Sequence, residues 1–171
     1  MRESEFLQLG VNARWLSSEK ARSAYHYAQQ FSNQSRYGLN ERTVVNIHRL
    51  EFESHSVARA WLANRFSRVG SVQIVYSESA VCIVGAGNFL DHWYEIFVPG
   101  RDDAVVVHNS SPEVLFYCHE EELEVGVRKS RLSVRLGGKM PDSQAPESRQ
   151  RFTRPKMRLD WVIKTPGPDS P

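Results

Sequence analysis

HSVARAWLANRFSRVGSVQIVYSESAVCIV, residues 55–84, carries the change of hydrophobic period on which the fold turns. In its first half Val57, Ala58, Trp61, Leu62, Phe66 and Val69 fall on one stripe at helical spacing, with Arg59, Asn64, Arg65 and Arg68 largely off it. That spacing predicts a helix over 55–69, capped by Ser54 or Ser56 and closed by Gly70 in the left-handed conformation. From Val72 the period becomes two. Val72, Ile74 and Tyr76 point one way, Gln73 and Ser77 the other, which predicts a half-buried strand. Ser77-Glu78-Ser79 reads as a tight turn, and Ala80 to Val84 as an apolar, central strand.

Upstream, Ala21, Ala24, Tyr25, Ala28 and Phe31 share a helical face, which predicts a helix over 18–33 with Ser17 as its N-cap. Thr43 to Phe52 reads as a strand with apolar residues of both parities, reconciled by a bulge between Ile47 and Leu50. Downstream, Ala104–His108 and Val114–Cys118 are short strands, the first preceded by the turn Pro99-Gly100-Arg101-Asp102-Asp103. Phe89 to Val98 fits either period. Its aromatic and β-branched content favours a strand over His92–Val98. The order predicts an α+β fold, two helices on a mainly antiparallel sheet of five or six strands.

Composition divides the chain. Residues 1–125 carry 11 Lys/Arg against 16 Asp/Glu, a net of −5, and residues 126–171 carry 11 against 4, a net of +7. The expected organisation is therefore a compact acidic domain over 1–125 and a basic C-terminal extension over 126–171. Gly137-Gly138 and Pro141–Pro146 mark a linker within that extension. The acidic start of the chain lacks the pattern of a signal peptide, and the longest apolar run is far below the roughly 20 residues of a membrane span. A soluble cytoplasmic protein with no membrane association is expected. Two cysteines, Cys82 and Cys118, do not make a disulfide framework, and a reducing compartment suits them.

Catalytic patterns are weak. Gly85-Ala86-Gly87-Asn88 follows a strand, but Leu90 stands where a dinucleotide-binding turn needs its third glycine, so a glycine turn or bulge is expected there. His92, His108, Cys118 and His119 can ligate metals, yet no C-x-x-C or H-E-x-x-H pair accompanies them. Cys118 and His119 are neighbours on one strand, which directs them to opposite faces, away from a shared proton. No cofactor, metal or catalytic residue is assigned.

Two charged runs remain. His119-Glu120-Glu121-Glu122-Leu123-Glu124 is a solvated edge or a docking surface, with Glu120, Glu121, Glu122 and Glu124 as partner-binding candidates. Arg149, Arg151, Arg154, Lys156 and Arg158, interleaved with Phe152 and Trp161, suit phosphates and stacked bases. The expected function is a non-enzymatic interaction protein of the inhibitor, immunity, antitoxin or adaptor kind. It binds a protein partner through the acidic run, the basic tail or both. DNA or RNA binding through the tail is the alternative, and a small enzyme with a Cys/His or metal site is the third class.

Overall fold

Residues 72–84 form the hairpin that their alternation predicts, and the rest of the sheet grows from it. The computed structural model describes residues 2–33, 35–52 and 54–129. In chain order the elements are α1 (Arg2–Gln8), β1 (Arg14–Trp15), α2 (Ser18–Ala28), β2 (Ser32–Asn33), β3 (Gly38–Leu39), β4 (Val44–Glu51) and α3 (His55–Ala63). They continue with β5 (Ser71–Val75), β6 (Val81–Gly85), α4 (Ala86–Ile96), β7 (Ala104–His108), β8 (Glu113–Cys118) and β9 (Glu122–Arg128). Seven strands make one antiparallel sheet in the order β1-β6-β5-β7-β8-β9-β4, and β2 pairs with β3 in a separate hairpin. The class is α+β, and among the described residues four helices are divided between the two faces of the sheet.

One face carries α1, α3 and α4. Val72, Ile74, Cys82, Val106, Leu115, Tyr117 and Leu123 meet Phe6, Leu62, Phe89 and Trp93 there. The other face packs Val75, Val81, Val105, Val107, Val114, Phe116 and Cys118 against Ala21, Ala28, Phe31 and Leu39. All five residues of β7 are buried, because the strand is covered on both sides. Cys82 and Cys118 belong to opposite faces and are free thiols.

The segment expected as a strand over His92–Val98 is instead the body of α4. Phe89, Leu90, Trp93 and Ile96 are all buried, a stripe at i, i+1, i+4 and i+7 that a helix can lay on the sheet in one piece. As a strand, the same residues would have split between two faces. Burial of one continuous face overrides the β preference of single residues. The Gly85-Ala86-Gly87 stretch is likewise neither a turn nor a bulge: Gly85 ends β6 in extended conformation and caps α4 directly. Helix α3 stops at Ala63, short of the expected end, although Phe66 still bonds back to Leu62 at 2.9 Å and lies against His108 and Phe89.

The bulge in β4 falls between Val45 and His48, two residues before its expected place. Asn46 has φ 52° there, and Gly126 lies opposite in β9. A Cβ on Gly126 would come within 2.4 Å of Val44 Cγ1, so only glycine admits the kinked strand so closely.

The central buried charge is Asp102, whose side chain is 0% exposed. Arg2 donates to both its oxygens at 2.6 and 2.9 Å, Arg101 Nε at 2.9 Å and the Val98 amide at 3.0 Å. Arg101 also grips Glu5 with two bonds of 3.1 Å, and the Arg2 guanidinium lies 3.9 Å from the centre of the Tyr76 ring. This knot ties α1 to the loop before β7. Burial alone pushes the Asp102 carboxyl up, but the bonds from Arg2, Arg101 and Val98 outweigh it and hold the group down at about 2.

A carboxyl held below its ordinary 3.8 adds stability that is complete above that value and is lost as pH falls toward 2. The loss should amount to about 2 kcal/mol. Urea unfolding followed between neutral pH and pH 2 should show this component in the native chain and lack it in Asp102→Asn, which is already destabilised at neutral pH.

Candidate functional site

Antiparallel pairing brings the start of β7, the end of β8, the start of β9 and the end of β4 to one end of the sheet. The register sets Ala104 beside Tyr117, Cys118 beside Glu122, and Glu122 beside Glu51. Acidic residues distant in sequence therefore converge: Glu51, Asp103, Glu120, Glu121 and Glu122.

The β8–β9 turn is tight. The Glu121 amide returns to the Cys118 carbonyl at 3.0 Å, and Glu121 adopts φ 63°, left-handed for a residue with a Cβ. Glu120, Glu121 and Glu122 line a groove of about 600 Å³ together with Glu51, Phe52, Ser54 and Val57. Its rim is acidic and its apolar members include Val57, which is 57% exposed. Arg49 binds Glu122 closely and lies 4.0 Å from Glu51, so Glu122 is the best neutralised of the four acids.

Glu124 has a different position from its neighbours in the run. It is 6% exposed, and its carboxylate accepts the Leu39 amide at 2.5 Å. It holds the β2–β3 hairpin against the sheet. A Cβ on Gly38 would lie 2.7 Å from Glu124 Oε2, so the approach of β3 requires the absent side chain. The sequence run thus contains three residues lining the groove and one internal fastening.

Behind the turn lies a second group that sequence reasoning did not assemble. His119 Nδ1 is 2.8 Å from Asp103 Oδ1 and 3.9 Å from Cys118 Sγ. The expectation that Cys118 and His119 diverge holds only within a strand. Strand β8 ends at Cys118, and His119 bends away with its amide on Asp103 Oδ1 at 3.0 Å and its carbonyl on the Gly100 amide at 2.9 Å. The hydrogen bond with Asp103 raises the His119 pKa. Burial pushes the Cys118 thiol up, against a bond from the Glu120 amide. Asp103 and Cys118 share one ring nitrogen, so Asp103 does not orient the imidazole toward sulfur through its opposite nitrogen.

Asp103 also lines a cavity of about 490 Å³ on the α2 side, with Tyr25, Tyr37, Tyr76, Val105 and Phe116. The sequence showed Asp103 only as part of a turn; no spacing rule links it to residues 118 and 119.

The other metal-compatible histidines lie elsewhere. His92 is on α4. His108 is buried, its Nε2 3.2 Å from the Ser67 carbonyl and its Nδ1 accepting the Ser110 and Ser111 amides at 3.1 and 3.2 Å. Arg128, counted with the basic extension, ends β9. It donates to the carbonyls of His108, Ser111 and Pro112 and to the Tyr27 hydroxyl. The candidates Arg149, Arg151, Phe152, Arg154, Lys156, Arg158 and Trp161 lie outside the described residues.

No helix among the described residues is long and apolar enough to cross a membrane. Comparison with protein-family models, with curated proteins and with solved structures finds no match for the chain.

The fastening at Glu124 gives a stability test. Gly38→Ala should cost about 1–3 kcal/mol in denaturant unfolding, the usual range for forcing extra volume into a packed site. The same substitution should cost measurably less in an Glu124→Ala background, where the opposing oxygens are gone.

Proposed function

We propose that the chain is an interaction protein that receives a basic surface of a protein partner at the acidic end of its sheet. The observation that carries this reading is the convergence of Glu51 with Glu120, Glu121 and Glu122 around one groove with exposed apolar surface. Separated on a surface, such acids need no partner. Gathered at a concave site they build a local field that attracts a cationic patch and accelerates encounter. Phe52 and Val57 add the apolar contact that charge alone lacks. Glu124 is left out of this site, because its carboxylate is taken up by the Leu39 amide of the β2–β3 hairpin. The cationic stretch Arg149 to Arg158 enters the proposal as a second contact on the strength of the charge division in the sequence alone.

The test begins with isolation of the partner from the native host and continues with stopped-flow association at low and high salt. Charge reversal at Glu51, Glu120 and Glu121 should slow association about tenfold or more at low salt and leave dissociation nearly unchanged. An association rate that ignores both the reversal and the salt would overturn the proposal. Glu122 is left intact in this variant because its bond to Arg49 joins β9 to β4.

A further inference from the structure

The cluster behind the turn has a chemistry that the docking reading does not use. We propose that Asp103, Cys118 and His119 form a binding site for a divalent transition-metal ion of the zinc class. One ligating atom from each residue lies within 4.8 Å of the other two. A tetrahedral ion with bonds of roughly 2.0–2.3 Å sets its ligand atoms about 3.2–3.8 Å apart. The imidazole and carboxylate, now 2.8 Å apart, would open slightly, and the sulfur, 3.9 Å from the imidazole, would close slightly. Those are side-chain adjustments on a backbone already fixed by the bonds at Gly100, Asp103 and Glu121. The neighbouring knot at Asp102 fixes the loop that carries Asp103, just before β7.

The donor set selects the ion. Sulfur, imidazole nitrogen and carboxylate oxygen together suit zinc or cobalt and disfavour magnesium and calcium, which take oxygen ligands. On binding, the thiol proton and any proton on His119 Nδ1 leave to solvent, and His119 keeps its proton on Nε2. A thiolate and a carboxylate then balance the two positive charges of the ion. The field of Glu120 nearby favours a cation further. Tyr37 stands edge-on to the imidazole, with ring centres 5.6 Å apart, and buttresses it. Three protein ligands leave a fourth position for water or for a donor atom of a bound molecule, and Asp103 places the site at the wall of the 490 Å³ cavity.

The experiment uses the full chain, reduced and stripped of metal, titrated with Co²⁺. A thiolate-to-cobalt charge-transfer band should grow and saturate at one ion per chain. It should vanish in Cys118→Ser and persist in Cys82→Ser. His119→Ala and Asp103→Asn should weaken binding about tenfold or more, the scale set by loss of a metal-site group. On the unmutated chain, Zn²⁺ should displace the cobalt and shift the His119 ring resonances while leaving those of His92 and His108 in place. This second measurement decides the matter even if a variant does not fold. Absence of the charge-transfer band, its survival in Cys118→Ser, or zinc shifts confined to other histidines would each overturn the proposal. The titration needs no protein partner, so its result is separate from that of the docking test.

Discussion

A carboxylate with no exposed surface sits between two guanidinium groups at the junction of α1, α4 and β7. Removing Asp102 from water is unfavourable, and the surrounding structure offsets that cost with charge-assisted hydrogen bonds from Arg2, Arg101 and the Val98 amide. The consequence is directional. Arg2 reaches Asp102 only when α1 lies against the loop before β7, Arg101 within that loop is drawn to Glu5 of the same helix, and the loop carries Asp103 at its end. The placement of Asp103 beside the end of β8 therefore depends on a charge balance one residue away.

The sheet imposes the second constraint. Because helices cover both faces, the interiors of β7 and β8 are almost wholly apolar, and polar chemistry is displaced to the strand ends. At one end the turns are rich in acids, and the register gathers them. The same arrangement produces two unlike neighbourhoods within a few residues. Glu120 and Glu121 open onto a groove, while Asp103, which meets Cys118 and His119, lines a cavity on the α2 side. The acidic groove attracts positive charge of any kind, which gives the docking proposal and the metal proposal a common electrostatic basis.

Hydrogen-bond needs explain why similar side chains have different parts here. Glu122 and Glu124 are two apart on one strand and share a face by parity. Glu122 meets Arg49 at the sheet edge, whereas Glu124 meets the backbone of β3 and is enclosed by it. Arg128 resembles the cations that follow it in sequence, yet three carbonyls and a tyrosine hydroxyl take up its donors. Net charge counted along the chain assigns such residues to a run; only their partners show whether the charge faces outward.

The alternation over residues 72–77, the turn at 77–79 and the apolar run over 80–84 were enough to specify two adjacent strands, because these local patterns need no distant contact to be read. The helical stripes of α2 and α3, the acidic run after Cys118 and the α+β class were legible for the same reason. Short α1, two-residue β1 and the strand β9 were not, since their formation rests on partners far along the chain. Phe89–Ile96 satisfied both periods, and the choice of helix came from burying one continuous face on the sheet. The meeting of Asp103 with Cys118 and His119 and the inward turn of Glu124 belong wholly to the tertiary structure. They arise where strand ends and a hairpin come together, and a linear sequence records which groups are available but not which ones the register will bring within bonding distance.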